Sequence, residues 1–250
     1  RYFSPGNGCP VLSIRGVKVG INICEDIWEQ IGPSEVQCAA GAQILINLNS
    51  SPYESGKQGH RVDIVTELSR RNRVYTLYTN QIGGQDELVF DGGSMLAGPD
   101  GELLGTAARF EESLLVADID AGALEELRLQ HQPNAISQTE LDRIGPSRLI
   151  EIPLAAPDTH PKLPELSIHS LDRLDAVYRA LVLGTRDYLR KTGFQKVAIA
   201  VSGGIDSAVT LAVAVDALGK DRVRAVMMPF RYTSSMSLED AEAEAVALGV

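Results

Sequence analysis

Val197-Ala-Ile-Ala-Val-Ser-Gly-Gly-Ile-Asp-Ser207 joins an apolar, β-type run directly to a serine, two glycines and an acid. Gly203 and Gly204 carry no Cβ to hold a ligand off the backbone, and both can take the positive φ angles that turn successive N–H groups inward. The following segment, Ser207 to Leu218, is apolar and suited to a helix, so the loop is expected at a helix N-terminus, where the dipole favours an anion. Strand, Ser-Gly-Gly-x-Asp-Ser loop and helix together read as a nucleotide phosphate site; a plain strand-to-helix turn with two convenient glycines is the alternative. With Val223 to Met228 as a second buried strand, residues 196–228 predict a right-handed βαβ crossover with the loop at a strand's carboxyl end.

This loop resembles the PP-loop of the ATP pyrophosphatases, which adenylate a carbonyl substrate and release pyrophosphate. It differs from a Walker A loop, in which a lysine follows the second glycine; none does here. The resemblance implies an ATP site running through Ala200, Val201, Ser202 and Gly203 and on through Gly204, Ile205, Asp206 and Ser207. The Ser202 hydroxyl and the N–H groups up to Ser207 would hold the pyrophosphate end, and Asp206 would help to bind magnesium. An anion beside that carboxylate is tolerable only with a cation between them.

At 250 residues the chain exceeds the ~100–200 residues usual for one domain, so two domains or parts of two are expected. It contains no run of about 18 apolar residues and no signal-peptide pattern at its start, which predicts a cytoplasmic protein without a membrane span. A net charge of −10, with no basic cluster to offset it, argues against nucleic-acid binding. Cys9, Cys24 and Cys38 have neither disulfide-framework nor zinc spacing, and His60, His131, His160 and His169 are scattered, as surface or structural residues are. The start at Arg1 and the end at Val250 give the look of an excised internal piece.

Along the chain, Val17 to Ile23 and Ile44 to Leu48 read as strands flanking a helix at Ser34 to Ala40. Arg61 to Asn72 reads as an amphipathic helix and Val74 to Tyr78 as a third strand. Ser94 to Ala97, Glu102 to Gly105 and Leu114 to Ile119 read as later strands, with Gly98-Pro-Asp-Gly101 as a hairpin turn. From 121 to 170 proline recurs at 133, 146, 153, 157, 161 and 164, and apolar periodicity survives only around Leu124 to Leu129. That texture predicts a connector. Leu171, Leu174, Tyr178, Leu181, Thr185, Tyr188 and Leu189 then share one helix face, with Ser170 as the expected N-cap and Gly193 as the stop. The expected domains are therefore 1–120, the connector 121–170, and 171–250.

Cys24 lies in Gly20-Ile-Asn-Ile-Cys-Glu-Asp-Ile-Trp28, where a buried strand delivers a thiol to its carboxyl end beside two carboxylates. A lone cysteine is most often an inert buried residue. A free thiol is only slightly ionised at neutral pH, and Glu25 and Asp26 disfavour the thiolate further, so a nucleophile here needs a cation or proton acceptor from elsewhere.

Ile23-Cys-Glu-Asp-Ile-Trp28 resembles the nucleophile segment of the nitrilase, or carbon–nitrogen hydrolase, superfamily, which uses a Glu-Lys-Cys triad on an αββα sandwich. The resemblance implies that Cys24 attacks an amide carbonyl to give a thioester, and that the Glu25 N–H helps to stabilise the oxyanion. Arg1-Tyr-Phe3 resembles the stretch just beyond the triad lysine, so both missing members are expected upstream of Arg1. Asn49-Ser-Ser-Pro-Tyr-Glu-Ser-Gly-Lys-Gln58 resembles the segment that contacts the amino-acid end of the substrate in glutamine-using members. It implies Ser51 and Lys57 as glutamine ligands; a loop serine and a solvated lysine are the plain alternative. Gly83 to Gly92 is a further family-like block whose carboxylates are expected to be structural or interfacial.

A nitrilase-type glutaminase followed by a PP-loop domain resembles the glutamine-dependent NAD synthetase family. Leu183-Gly-Thr-Arg-Asp-Tyr188, Lys191-Thr-Gly-Phe194 and Met228-Pro-Phe-Arg-Tyr-Thr-Ser234 stand in the expected order. Ala200 and Val201 depart from the glycine and leucine more usual in that family, which predicts a slightly tighter loop. The resemblance implies an α/β protein: the C-terminal part of a nitrilase-like sandwich, then the start of a Rossmann-like parallel-sheet PP-loop domain. It further implies amidation of nicotinic acid adenine dinucleotide (deamido-NAD) to NAD with glutamine, ATP and Mg2+, by a homo-oligomer acting on small molecules. Another PP-loop glutamine amidotransferase, or a non-catalytic scaffold on the same folds, stays open.

Overall fold

A computed structural model describes residues 6–130, 135–155 and 161–250; Arg1 to Phe3, His131, Pro133, Pro157 and His160 lie outside them. In chain order the elements are β1 (Cys9–Ile14), β2 (Val17–Ile23), α1 (Pro33–Ala39), β3 (Ile44–Asn49), α2 (Lys57–Asn72), β4 (Tyr75–Asn80), β5 (Ile82–Gln85), β6 (Leu88–Asp91), β7 (Met95–Ala97), β8 (Leu103–Thr106), α3 (Ala121–Gln130), α4 (Gln138–Ile144), β9 (Ser147–Ile152), α5 (Arg173–Thr192), β10 (Val197–Val201), α6 (Ile205–Leu218), β11 (Val223–Met227) and α7 (Ser235–Leu248). They form two compact units, Arg1–Gln81 with Asp91–Ser170, and Ile82–Phe90 with Leu171–Val250.

The first unit is built on one seven-stranded sheet ordered β8-β7-β4-β3-β2-β1-β9. Strands β2, β3 and β4 run parallel, and Asn22, Asn47 and Tyr78 stand opposite one another in register. Because side chains alternate along a strand, Leu45, Asn47, Asn49, Thr76, Tyr78 and Asn80 share one buried face. There Val65 and Leu68 of α2 join Cys38 of α1, Leu45 and Tyr78 in a single apolar core. The opposite face carries Ile21, Ile46 and Leu77, together with Ile23 and Leu48, which are 66% and 45% exposed. In an αββα sandwich such a face packs against a second sheet.

Three expectations change here. Residues 121–170 carry α3, α4 and β9, and β9 pairs in parallel with β1 from Cys9 opposite Ser147 to Ile14 opposite Ile152. Its prolines do not interfere, since Pro146 and Pro153 stand just outside the strand, where no ladder N–H is lost. Leu114 to Ile119 is irregular, not a strand. At the edge of β8 it would need, the Thr106 N–H already donates to Ser167 O at 2.9 Å and its hydroxyl accepts from the His169 N–H at 2.7 Å. Finally, α5 is capped by Asp172, whose carboxylate accepts from the N–H groups of Leu174 at 2.8 Å and Asp175 at 3.1 Å. A carboxylate there satisfies two orphan donors and complements the dipole, which the Ser170 hydroxyl could not do from two residues earlier.

In the second unit β10 and β11 pair in parallel, Val197 opposite Val223 through Val201 opposite Met227. Val201, Leu211, Ala214, Val223 and Ala241 form its core. The β5–β6 hairpin packs on α5: Gly84 N–H donates to the buried Asp187 at 2.8 Å, and Lys191 donates to Gly84 O. A Cβ on Gly84 would lie 3.1 Å from the Gly184 Cα, so two facing glycines set how closely strand and helix approach.

Helices α5 and α6 are tied by Tyr178, whose hydroxyl donates to Asp216 Oδ2 at 2.6 Å. That hydrogen bond, helped by burial and by the carboxylate's charge, pushes the phenol up from 10.0 to about 12. The protonated phenol is the bonded form, so its contribution is complete below the unfolded value and is lost as pH rises through the folded one. The difference in urea midpoint between the parent and Tyr178→Phe should therefore be constant from about pH 7 to 9 and narrow above about pH 10. A difference already shrinking between pH 7 and 9 would contradict the assignment.

Candidate functional site

Cys24 follows the last residue of β2 and opens a short 3₁₀ turn, Cys24–Ile27. Its φ is +49°, a left-handed conformation that is uncommon for a residue with a Cβ and is held only by surrounding contacts. Two contacts hold it. Asp26 Oδ2 accepts the Ile23 N–H at 2.7 Å, and the Asn47 side chain donates to Cys24 O at 3.3 Å. Asp26, expected as a neighbour that disfavours the thiolate, instead ties the turn that presents the thiol. Cys24 itself is half-buried and Glu25 is exposed. Among the described residues no hydrogen bond reaches Cys24 Sγ. Cys9 and Cys38 are buried, and burial pushes the Cys9 thiol up, away from reactivity.

The support under Cys24 is a row of buried amides that sequence reading missed. Asn47 donates to Asn22 Oδ1 at 2.7 Å, and Asn22 donates to Ser34 Oγ at 2.9 Å and Gln37 Oε1 at 3.2 Å. Asn49 donates to Asn47 Oδ1 at 2.6 Å. Asn80, opposite Asn49 on β4, accepts the Ser51 N–H at 2.9 Å and returns a bond to Ser51 O at 3.2 Å. The available signal was asparagine, a poor strand former, at the carboxyl ends of three otherwise apolar runs.

Ser51 is buried, and its Oγ accepts from Arg61 Nε at 3.2 Å and Nη2 at 3.1 Å. Arg61 is 1% exposed and pairs with the wholly buried Asp91 at 2.8 Å, which also binds Arg109 Nη2 at 2.8 Å. The Asp91 of the family-like block is thus the anchor of an internal charge cluster, while Asp86 and Glu87 lie exposed at the β5–β6 turn. Lys57 opens α2, and among the described residues its ammonium makes no ion pair. Burial pushes the Tyr78 phenol up, against the opposing pull of Ser51 and Arg61, and its hydroxyl has no partner at hydrogen-bonding geometry. Cys24 and Ser51 therefore stand at the carboxyl ends of adjacent parallel strands, linked through Asn47, Asn49 and Asn80. His60 stacks edge-on against Trp28 at 5.2 Å and His169 meets the Ser167 hydroxyl at 3.1 Å, both structural placements.

The second unit holds the other predicted site by itself. Helix α6 begins at Ile205, two residues earlier than expected, with Gly204 as N-cap. Asp206 and Ser207 thus fall in its first turn, where backbone N–H groups have no helical acceptor. Ser207 Oγ binds Gly204 O at 2.9 Å and accepts the Ser202 N–H at 3.2 Å, while Ser202 Oγ accepts the Gly204 N–H at 3.3 Å. These bonds close the loop into a cradle whose Asp206 carboxylate is exposed. Ala200, Val201 and Ser202 line a cleft of about 250 Å³ with Met228, Thr233 and Ser237. Among the described residues no cluster of three or more His, Cys, Asp or Glu could hold a metal alone. Asp206 fits magnesium only as phosphate-bound magnesium is usually held, by one or two carboxylates plus ligand oxygens.

Gly203 has φ +74°, and a Cβ there would lie 2.2 Å from the backbone oxygen of Ser237. Gly203→Ala should therefore cost more than the roughly 1–2 kcal/mol of a left-handed alanine alone, read from urea unfolding. A loss under about 0.5 kcal/mol, the range of ordinary surface changes, would contradict the close approach.

Comparison with known proteins places these two sites in context. Residues 1–129 match the carbon–nitrogen hydrolase family and residues 177–250 match NAD synthase. The glutamine-dependent NAD(+) synthetase of Acinetobacter baylyi is 41% identical over 250 residues, covering 100% of this chain and 39% of that protein. The enzyme of the same name from Thermotoga maritima is 38% identical over 251 residues, covering 43% of its length. A solved glutamine-dependent NAD+ synthetase from Acinetobacter baumannii, in complex with ADP, superposes with a TM-score of 0.78 at 37% identity, covering all of this chain and 40% of that one. The chain thus spans about two-fifths of the relatives it matches.

Proposed function

The chain belongs to the carbon–nitrogen hydrolase family through residues 1–129, and on that premise we propose that it carries the glutamine-hydrolysing cysteine and the ATP-binding loop of a glutamine-dependent NAD synthetase. The observation that carries this reading is the pairing, in one chain, of a left-handed Cys24 at a strand end with a Ser-Gly-Gly-x-Asp-Ser cradle at a helix start. Cys24 attacks the side-chain amide of glutamine, its thiol proton passing to the departing ammonia, and leaves a thioester that water hydrolyses to glutamate. The Glu25 N–H steadies the oxyanion; Ser51 and Lys57 hold the amino-acid end of glutamine.

At the cradle the nicotinate carboxylate of deamido-NAD attacks the α-phosphorus of ATP, and pyrophosphate leaves. Ammonia then displaces AMP to form the amide of NAD. The α6 N-terminus and the Ser202 and Ser207 hydroxyls meet the pyrophosphate oxygens; Asp206 would hold magnesium, which would supply charge neutralisation to the phosphates. Ammonia must arrive unprotonated, because ammonium has no lone pair, so sequestering the two steps in one protein has a chemical reason. By the same resemblance the protein is a cytoplasmic homo-oligomer.

The test uses the full-length protein. Cys24→Ala should abolish glutamine-supported NAD formation while ammonia-supported formation remains measurable, and equal loss with both nitrogen sources would sink the role of Cys24. Asp206→Asn, which keeps shape and removes charge, should raise the magnesium concentration needed for ATP use at least several-fold and spare glutamine hydrolysis. An unchanged magnesium dependence would remove Asp206 from the reading.

A further inference from the structure

Two sequence motifs that the proposed chemistry leaves unused, Leu183-Gly-Thr-Arg-Asp-Tyr188 and Lys191-Thr-Gly-Phe194, each supply a residue that grips one hairpin. The chain leaves the first unit after Gln81, forms β5 and most of β6 as part of the second, and re-enters the first at Asp91. These two four-residue strands make a sheet of their own, and a lone two-stranded hairpin is marginally stable at best. Its tip adds nothing, since Gln85 through Leu88 are exposed. What fixes its shape is α5. Gly84 is held from both sides, its N–H by the Asp187 carboxylate at 2.8 Å and its carbonyl by the Lys191 ammonium, which also donates to Gln85 Oε1 at 3.1 Å. Asp187 is 3% exposed, so its bond is made where water competes little. The packing leaves no slack. A Cβ on Gly83 would lie 3.1 Å from Asp187 Oδ2, and one on Gly84 would lie 3.1 Å from Gly184 Cα.

The two feet of the hairpin stand among the residues that hold the segment 49–51, all within the first unit. Gln81 donates its N–H to Asn49 O at 3.0 Å and accepts the Ser50 hydroxyl at 2.8 Å. Gly92 donates to Gln81 O at 2.9 Å, closing the base, and its own carbonyl accepts from the Asn80 side chain at 3.0 Å. Asp91 anchors Arg61, and Arg61 binds Ser51. Asn49 in turn donates to the Asn47 side chain that holds the Cys24 carbonyl. A shift of either foot thus reaches residues 49–51 through direct bonds, and α5 sets the shape of the element that joins the feet.

We propose that Asp187 and Lys191 of α5 are positioning residues for glutamine hydrolysis, acting through the β5–β6 hairpin on residues 49–51 of the first unit. This rests on the glutaminase reading above and adds to it that glutamine chemistry depends on a helix of the second unit. Neither side chain takes part in the reaction itself.

The experiment measures two rates in the full-length protein, glutamate release from glutamine and NAD formation from ammonia. Asp187→Leu, similar in size but without an acceptor, should lower kcat/KM for glutamine about 3- to 30-fold, the range that changes along a connecting network produce. Ammonia-supported NAD formation should stay within about twofold of the parent. Asp187→Asn keeps an oxygen for the Gly84 N–H and should recover most of the loss, a rescue that burial of an apolar side chain alone would not give. Lys191→Met should act in the same direction as Asp187→Leu. Gly84→Ala, whose methyl meets backbone, should do more than Gly184→Ala, whose methyl meets only the end of the Val89 side chain. If Asp187→Leu gives no cooperative melt, Lys191→Met and Gly84→Ala decide by the same two rates. Equal loss of both activities would make α5 a support of the second unit alone, and a loss of glutamine hydrolysis below threefold in folded variants would detach the hairpin from that site; either result overturns the proposal. Absence of glutamine hydrolysis in the unsubstituted protein would instead remove the glutaminase reading, and the proposal with it.

Discussion

A cysteine held at φ +49° at the end of β2 is the constraint around which the first unit is arranged. Left to itself that backbone would relax, because a Cβ in the left-handed region crowds the neighbouring carbonyl. It is retained because Asn47 takes the Cys24 carbonyl and Asp26 takes the N–H before it. Asn47 has to reach from the neighbouring strand, so it sits on the buried helix-side face, where an unpaired amide costs more than an apolar residue would gain. Asn22 and Asn49 complete its bonding, and the local turn becomes a sheet-wide polar row.

The same logic places the loop that carries Ser51. Asn80 bonds both the N–H and the carbonyl of Ser51, and Arg61 takes its Oγ from α2, anchored on Asp91 and Arg109. Removing one member of a buried charge cluster leaves an uncompensated charge, so such a cluster holds its geometry firmly even where its net contribution to stability is small. Cys24 and Ser51 are thereby set relative to each other by strand register and side-chain amides, with little left to loop flexibility. The Ser-Gly-Gly loop of the second unit is closed by other means, with Gly203 against Ser237 and serine hydroxyls bonding across the turn.

What could be read from the sequence was whatever local pattern encodes. The strand–loop–helix around Ser202 to Ser207 was legible because its chemistry lies in consecutive residues, and Cys24 because its strand delivers it. Period and composition also found β2, β3, α2 and α5. The strand β9 was hidden by prolines that turned out to flank it, and Leu114 to Ile119 read as a strand although Ser167 and His169 already occupy the adjacent edge at Thr106. Arg61, Asp91 and the asparagine row were invisible for another reason. Their partners are 10 to 30 positions away in the chain, so only the fold brings them together.

The central claim, that the amide row holds Cys24 in the left-handed conformation proposed for glutamine hydrolysis, is tested most directly by the glutamine hydrolysis rate of Asn47→Ala in the full-length protein. A displacement of the thiol by about an ångström lowers turnover on the order of 100-fold, and a drop of that size in kcat, in protein that still shows a cooperative melt, is the predicted result. A kcat within threefold of the parent would mean that Cys24 keeps its conformation without Asn47, and would contradict the account.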